Sequence, residues 1–535
     1  MRTAHTDLRA LTALSPAAHA GARSVVRAIP LRLGWLAAAL VGMSTFALFV
    51  GTLSYEFLDW DDVTHIAWNP SYRGFTWTHL AWMVTTVRGG HWIPVTWASF
   101  GLDHALWGMN PSGYHLTNVV LHTLNAIVFF ALASSLLERA RGSASTVSLH
   151  AGAAAGALLF ALHPLRTESV AWITERRDVL SALFWLLAAL CYVRAPEHAG
   201  RKTGWWKLLS LLAFMVAVMA KSITVTLPLI LLILDVYPLR RMSHGVRRLL
   251  REKLSYVPMM LFGAFMAVAG AYNTGYLTTV ERLSSIERML AVAYSVWFYL
   301  SATVVPLALS PLYELPSRIH VSDTRFLGPA LIVSAITVCV VMLRRRWPAL
   351  LAAWAAYLVV LAPVSGAVHN GAQLVADRYS YLACLPLALL FGAVVSLVAD
   401  RLAEPSTGPV FRAAAVAGLA VLMLSFAGLT HRQLAVWRNS ETFWRYVVAA
   451  DPDCFVCHVH AGKVFRNTPD VAMTHFERAA ALRPDLMRSE LYLVNRGLTY
   501  IALDRDDSAE RDLATLRSVS PRVANVLGPL FVTGW

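Results

Sequence analysis

The stretch LRLGWLAAALVGMSTFALFVGTLSYEFLDWDD, residues 31–62, decides the fold. Its first part, Leu31 to Leu53, is an apolar run long enough to cross a bilayer, which takes roughly 20 such residues. Its last part, Asp59-Trp60-Asp61-Asp62, sets three acids within four positions, just past the expected helix exit at about Tyr55. An apolar span that opens at once into charged and aromatic residues reads as a membrane helix entering a structured loop. No small-residue cleavage site follows the run, so it reads as a retained first helix and not as a signal peptide.

The whole chain has the same character. Of its 535 residues, 57% are hydrophobic and only 15% charged, and the mean hydropathy is +0.53. Soluble chains hold about half apolar and about a quarter charged residues. A net charge of +14 could suggest nucleic acid. Arg and Lys, however, cluster in short loops between apolar runs, the pattern that orientation in a bilayer demands, so no nucleic-acid partner is expected. Cys191, Cys339 and Cys384 fall in apolar runs and read as small hydrophobes. Heavy Ala, Arg and Leu usage suggests a bacterial source and hence an inner membrane.

Residues 1–30 carry Arg2, Arg9, Arg23 and Arg27 against Asp7 alone and read as a cytoplasmic tail. Residues 31–430 read as the membrane domain. Its first loop, 56–112, is too long and too aromatic for a plain connection, and loops of that kind tend to be functional. Further apolar runs fall at 114–137, 149–163, 179–194, 205–220, 223–239, 255–272, 289–310, 326–343, 348–364, 381–399 and 412–430. Basic loops at Arg139 and Arg141, at Arg201 and Lys202, at residues 240–253, and at Arg344 to Arg346 should face the cytoplasm. That parity leaves one run too many, so the run at 289–310 is expected to be re-entrant or to lie on the outer surface. About eleven crossings then remain, with residues 431–535 outside.

This tail is charged, with apolar positions at helical period. Gly462, Phe465, Ala472, Phe476, Ala479 and Pro484 align with Gly497, Tyr500, Ala509, Leu513, Leu516 and Pro521. Small residues let paired helices approach, aromatics fill between them, and Pro ends each unit, as in tetratricopeptide repeats of about 34 residues. Two units are few for an independent solenoid, so the tail should lean on the membrane domain. The pair Cys454 and Cys457 with His458 tempts a metal reading, but without a second ligand pair a disulfide or an inert pair is the expectation.

Candidate chemistry collects in the loops that should face outward. Adjacent carboxylates in Asp61-Asp62 repel, so one should have a raised pKa or a cation partner. A tuned carboxylate could deprotonate a hydroxyl; a solvated helix cap is an equal reading. His115, Asn118, His122 and Asn125 share one helix face, which reads first as interhelical hydrogen bonding. In His163 to Asp178, Arg166, Arg176 and Arg177 break the positive-inside pattern. Either a phosphate or local pairing with Glu175 and Asp178 would relieve them. Lys221 lies between two apolar runs, and Asp377-Arg378-Tyr379 lies just before an outer helix start, as interface anchor or pocket.

Several segments together resemble a known family. They are Asp59-Trp60-Asp61-Asp62, residues 91–97, 116–122 and 162–172, Glu175-Arg176-Arg177-Asp178, Ala220-Lys221-Ser222, and Ala376-Asp377-Arg378-Tyr379-Ser380-Tyr381. They look like bacterial relatives of the transmembrane-and-tetratricopeptide (TMTC) O-mannosyltransferases. The resemblance implies an all-α, polytopic GT-C membrane bundle with a short tetratricopeptide-like tail. It implies inverting transfer of a sugar, mannose in the named relatives, from a polyprenyl-phosphate carrier to an acceptor hydroxyl on the outer face. Asp61, with Asp62 beside it, takes the general-base role. Arg166, Arg176, Arg177, Lys221 and Arg378 are the donor-phosphate candidates. His91, His163, Glu168, Glu175, Asp377 and Tyr379 would line the pocket, with or without a divalent cation.

Two rivals belong to other classes. A transporter or flippase of lipid-linked sugars would show midplane charges and inverted repeats, whereas these charges sit at helix ends. A membrane scaffold presenting its tail to a partner would not need a one-sided polar cluster.

Overall fold

The computed structural model describes residues 16–142, 144–195, 201–273, 283–316, 318–367 and 373–527. Of the expected N-terminal tail, residues 1–15 with Arg2, Asp7 and Arg9 lie outside them, and residues 16–30 belong to the helix Pro16–Phe49. The described chain is all-α apart from one two-stranded pairing, Tyr313–Glu314 with Gln373–Val375.

Every apolar run predicted from the sequence lies on a helix. Among the described residues six helices are long and apolar enough to cross a membrane: Arg32–Ser54, Pro111–Arg141, Lys202–Ala220, Thr324–Arg345, Leu385–Ala403 and Pro409–Trp437. Two helix pairs, Thr146–Ala161 with Pro164–Ala171 and Val246–Lys253 with Val257–Tyr272, are bent by 59° and 55° and raise the number to eight if each is one span. Ser222–Val236 and Pro348–Val364 are apolar but shorter. Length and apolarity thus support fewer full crossings than the expected eleven, because several runs are broken by turns that carry polar residues. The run expected to be re-entrant forms a regular helix, Ser285–Val304. The protein is a multi-pass membrane protein, with the outward faces of Thr324–Arg345 and Pro409–Trp437 largely exposed for lipid.

Small residues set the tightest helix contact. Gly152 and Gly156 on Thr146–Ala161 face Leu385–Ala403. A Cβ on Gly152 would lie 2.4 Å from the Gly392 carbonyl oxygen, and one on Gly156 2.7 Å from that of Ala388. Close backbone approach of this kind is how apolar helices associate where lipid removes the hydrophobic drive. Arg176–Arg194 is buried nearly all round, packed by Pro111–Arg141 and Arg201–Ala220. The polar face on Pro111–Arg141 serves that packing. Asn118 donates to the carbonyls of Val170 (3.1 Å) and Trp172 (3.3 Å), His122 pairs with the Tyr381 hydroxyl (2.7 Å), and Asn125 donates to the Val179 carbonyl (2.8 Å).

The first loop is a structured cap. It contains helices Trp77–Thr85 and Pro94–Trp107 around a small core of Ile66, Tyr72, Met83, Ile93, Trp97 and Phe100. The tail forms helical hairpins, Phe455–Val464 with Pro469–Leu482 and Glu490–Ala502 with Asp506–Val519. A Cβ on Gly462 would lie 2.7 Å from the Phe476 ring, which is why that repeat position is glycine. The core of the membrane domain continues into the tail through Trp437, Phe443 and Trp444, so the tail does lean on it.

Candidate active site

Four stretches far apart in sequence meet where helix Arg176–Arg194 begins. The short turn Ile173–Glu175 ends there, leaving Glu175 fully buried at the centre of a cation cage. Arg177 reaches it through Nε (3.1 Å) and Nη2 (2.5 Å), Lys221 through Nζ (2.9 Å), and Arg378 through Nε (3.2 Å). Lys221 also contacts Asp178 at 2.6 Å. Arg378 pairs with Glu168, whose other oxygen accepts the Arg378 backbone N–H at 2.8 Å. Asp377 accepts the Tyr313 hydroxyl at 3.0 Å, and Tyr379 accepts from Gln373 at 2.8 Å. Local pairing, the alternative weighed for Arg177, is therefore what the geometry holds.

The acidic loop joins this cage from the other side. Asp62 is fully buried. Its Oδ2 accepts the Leu58 N–H (3.0 Å), and its Oδ1 accepts both the N–H (2.9 Å) and hydroxyl (2.5 Å) of Thr174. Burial pushes its carboxyl up to about 7 against the pull of these hydrogen bonds, and the neighbouring Asp61 adds little. The expected cause, repulsion between adjacent acids, is thus minor beside burial. Asp62 is a tether between loop and bundle. Asp61 keeps a third of its side chain exposed, 33%, and is the accessible carboxylate.

His65 was not singled out in the sequence. It sits on the π-helical turn Val63–Ala67, with Nδ1 3.1 Å from the Asp61 carbonyl oxygen and 4.0 Å from its carboxylate. A π turn is a frequent mark of functional sites, but nothing in the residue types announces one. Gly89 leaves room for the ring: its φ is +56°, and a Cβ there would lie 2.7 Å from His65 Nε2. Burial lowers the His65 pKa; Asp61 opposes this, while Arg177 and Arg88 add to it. Asp61, Arg177 and Arg88 therefore all stand within electrostatic reach of His65. Arg88 donates to the Thr64 carbonyl at 2.8 Å, and no carboxylate pairs with it among the described residues. His91 lies close by, its pKa lowered well below the usual value by burial, then by Arg177 and Lys221. It lines a small recess with Trp92, Val218, Ser222, Gly263 and Met266.

Three expected residues stand apart from this arrangement. Arg176 is fully buried and spends its donors on Asp103 (2.6 Å), the Tyr114 carbonyl (2.8 Å) and Asn118, so it fastens the first loop to the bundle. Arg166 donates to Ser380 at 2.6 Å and lies over the Phe160 and Tyr381 rings, in a separate small recess with His163 and Cys384. His163 is held by the Thr303 carbonyl (3.0 Å) and the Leu165 N–H (3.2 Å). Among the described residues no three His, Cys, Asp or Glu stand together as a metal set, and Cys454 is disulfide-bonded to Cys457.

No family model matches the chain. It is 36% identical over 171 residues to protein O-mannosyl-transferase TMTC2 of Homo sapiens, a match that takes in 30% of this chain and 19% of that protein. Against TMTC1 of Homo sapiens it is 24% identical over 501 residues, 84% of this chain and 55% of the relative. The chain thus spans little more than half of the longest such match. A solved structure of ArnT from Cupriavidus metallidurans bound to undecaprenyl phosphate aligns with 91% of this chain and 80% of its own, at 15% identity and a TM-score of 0.35. By sequence, the chain is similar to the TMTC protein O-mannosyl-transferases.

Proposed function

We propose that this protein is a GT-C membrane glycosyltransferase that moves a sugar, mannose by likeness to its relatives, from a polyprenyl-phosphate carrier to an acceptor hydroxyl. The exterior, periplasmic face is where the donor headgroup and acceptor would meet. The observation that carries this reading is one accessible carboxylate, Asp61, set beside a buried cation cluster fed by three distant stretches of chain. ArnT, a protein of similar extent, binds undecaprenyl phosphate, which agrees in kind with a lipid-phosphate donor.

In the proposed reaction Asp61 takes the proton of the acceptor hydroxyl. Its oxygen bonds to the anomeric carbon as the bond from that carbon to phosphate oxygen breaks, and the lipid phosphate leaves with the electron pair. Fixed cations placed where that charge develops lower the barrier. Arg177, Lys221 and Arg378 hold this role here, with Arg88 added as a cation no acid neutralises. Their carboxylates, Glu168, Glu175 and Asp178, would orient the cations and share them with phosphate. Arg166 and Arg176 move from phosphate binding to scaffolding.

The test is incubation of purified protein with labelled polyprenyl-phosphate sugars, with and without peptide acceptors. Label should move to acceptor with wild type and not with Asp61→Asn. Full transfer by a well-folded Asp61→Asn protein would reject the base assignment.

A further inference from the structure

Resting on the glycosyl-transfer reading, we infer that the first repeat helices form a wall of the active site, with Asp59 and Trp60 as positioning residues for Asp61. The tail grips the acidic loop by both backbone and side chain. The Asp59 N–H donates to Ser440 Oγ (2.7 Å), Trp444 Nε1 donates to the Asp59 carbonyl (3.3 Å), and Lys463 Nζ pairs with the Asp59 carboxylate at 2.6 Å. One step earlier, the Glu56 N–H donates to the Arg438 carbonyl at 3.0 Å.

Trp60 inserts into an aromatic box that the tail completes. Its ring centroid lies 4.9 Å from Trp172, 5.5 Å from Phe443, 5.5 Å from Trp444 and 6.5 Å from His460. Trp172 also carries Arg378, whose guanidinium carbon lies 5.4 Å from the ring centroid. A continuous stack therefore runs from repeat helix to acidic loop to the cation that pairs with Glu168. Asp61 is the next residue after Trp60, and Asp62 after it is tied to Thr174. Asp61 is thus held between one neighbour fixed by the tail and another fixed by the bundle.

The same repeat helix grips the other arm of the site. Glu314 accepts the Phe455 and Val456 N–H groups at 3.0 and 3.4 Å, at the N-terminus of Phe455–Val464. Its strand neighbour Tyr313 donates to Asp377, beside Arg378. A module that only captured acceptors would not be built into both arms. Displacing a catalytic group by about 1 Å can cost on the order of a hundredfold in rate, so loosening this grip should slow the chemical step itself.

The experiment uses the full-length protein in lipid nanodiscs with a labelled polyprenyl-phosphate sugar. It reads donor hydrolysis by water, transfer to a short peptide, and amide exchange over residues 57–64. For Lys463→Met and Asp59→Asn, kcat for both reactions should fall about tenfold or more, while KM for the peptide changes by less than about twofold. The thermal midpoint should hold and exchange over 57–64 should quicken. The reversed pair, Asp59→Lys with Lys463→Asp, should recover most of the rate. Arg478→Ala, which removes a surface pair with Asp453, should match wild type in every readout. A raised KM with unchanged kcat would overturn the inference and make the tail an acceptor-binding module only; unchanged exchange would overturn it as well. If wild type turns over no donor, the transfer reading fails, and the exchange result alone decides whether the tail positions the loop.

Discussion

Helix Arg176–Arg194 ends in a second buried charge network, and the two ends differ instructively. At the far end, Tyr192 stands within hydrogen-bond distance of both Asp235 oxygens (2.9 and 2.8 Å). Arg241 bridges Asp235 and Glu252, each at 2.8 Å, and Lys253 pairs with Asp235. Apart from Tyr192 and Lys207, its members come from residues 235–253, so it fastens one connection to the helix. Neither Asp235 nor Glu252 is an accessible acid beside free cations. At the near end, roughly 25 Å away along the axis, the cage draws on residues 168–178, 221 and 378 and adjoins the exposed Asp61. Buried ion pairs are weak evidence of function by themselves. What sets the near end apart is one unsaturated carboxylate held against them.

The largest expected effect breaks the comparison open. Asp61→Asn should lower transfer by about a hundredfold to ten-thousandfold, the range for loss of a general base, while thermal unfolding stays at the wild-type midpoint. Asp235→Asn should do the reverse, destabilising the fold by about 3–5 kcal/mol as a buried cation pair loses its partner, with transfer per folded molecule unchanged. Chemical-denaturation midpoints and kcat on the same preparations decide both. Equal loss of kcat in the two variants would erase the distinction between the ends.

Adjacent arginines sharpen it further. Arg176→Gln should destabilise by about 3–5 kcal/mol, since the buried Asp103 would lose its cation and keep only the Thr117 hydroxyl, and should leave KM for the lipid donor near wild type. Arg177→Gln should raise that KM or lower kcat, because this guanidinium holds Glu175 and feels the charge of Asp61. A donor KM that moves only for Arg176→Gln would reverse the assignment.

These two positions also mark how far the sequence could be read. Apolar runs named the helices because the 20-residue scale of a bilayer is imposed from outside. Three acids past the first helix, and arginines where few belong, flagged both arms of the site. Which of two neighbours faces inward could not be read, because consecutive helical residues point about 100° apart and the rotation of Arg176–Arg194 is set by packing. The same holds for Asp61 and Asp62. The roles of Trp60 and Lys463 could not be read because they arise from contacts across about 400 positions of chain, and that of Trp172 from contacts to Trp60 and Arg378. His65 depends on a π turn and on the close approach of Gly89.

The smallest expected effect tests the tethered Asp62 by titration. The Asp62 carboxyl is pushed up to about 7 in the folded protein, from an ordinary value of 3.8, so the fold binds its proton more tightly than the unfolded chain does. Its contribution is then fully present below the ordinary carboxylate range and is lost as pH rises through about 7. Wild type should therefore lose thermal stability between about pH 4 and 7, and Asp62→Asn should show a shallower slope over that window. The amide of that variant sets an N–H donor against the Leu58 N–H or the Thr174 groups, so its midpoint should be lower throughout; the slope is the diagnostic quantity. Parallel curves for the two proteins would show that Asp62 is ionised in the fold, and that hydrogen bonds from Leu58 and Thr174 outweigh its burial.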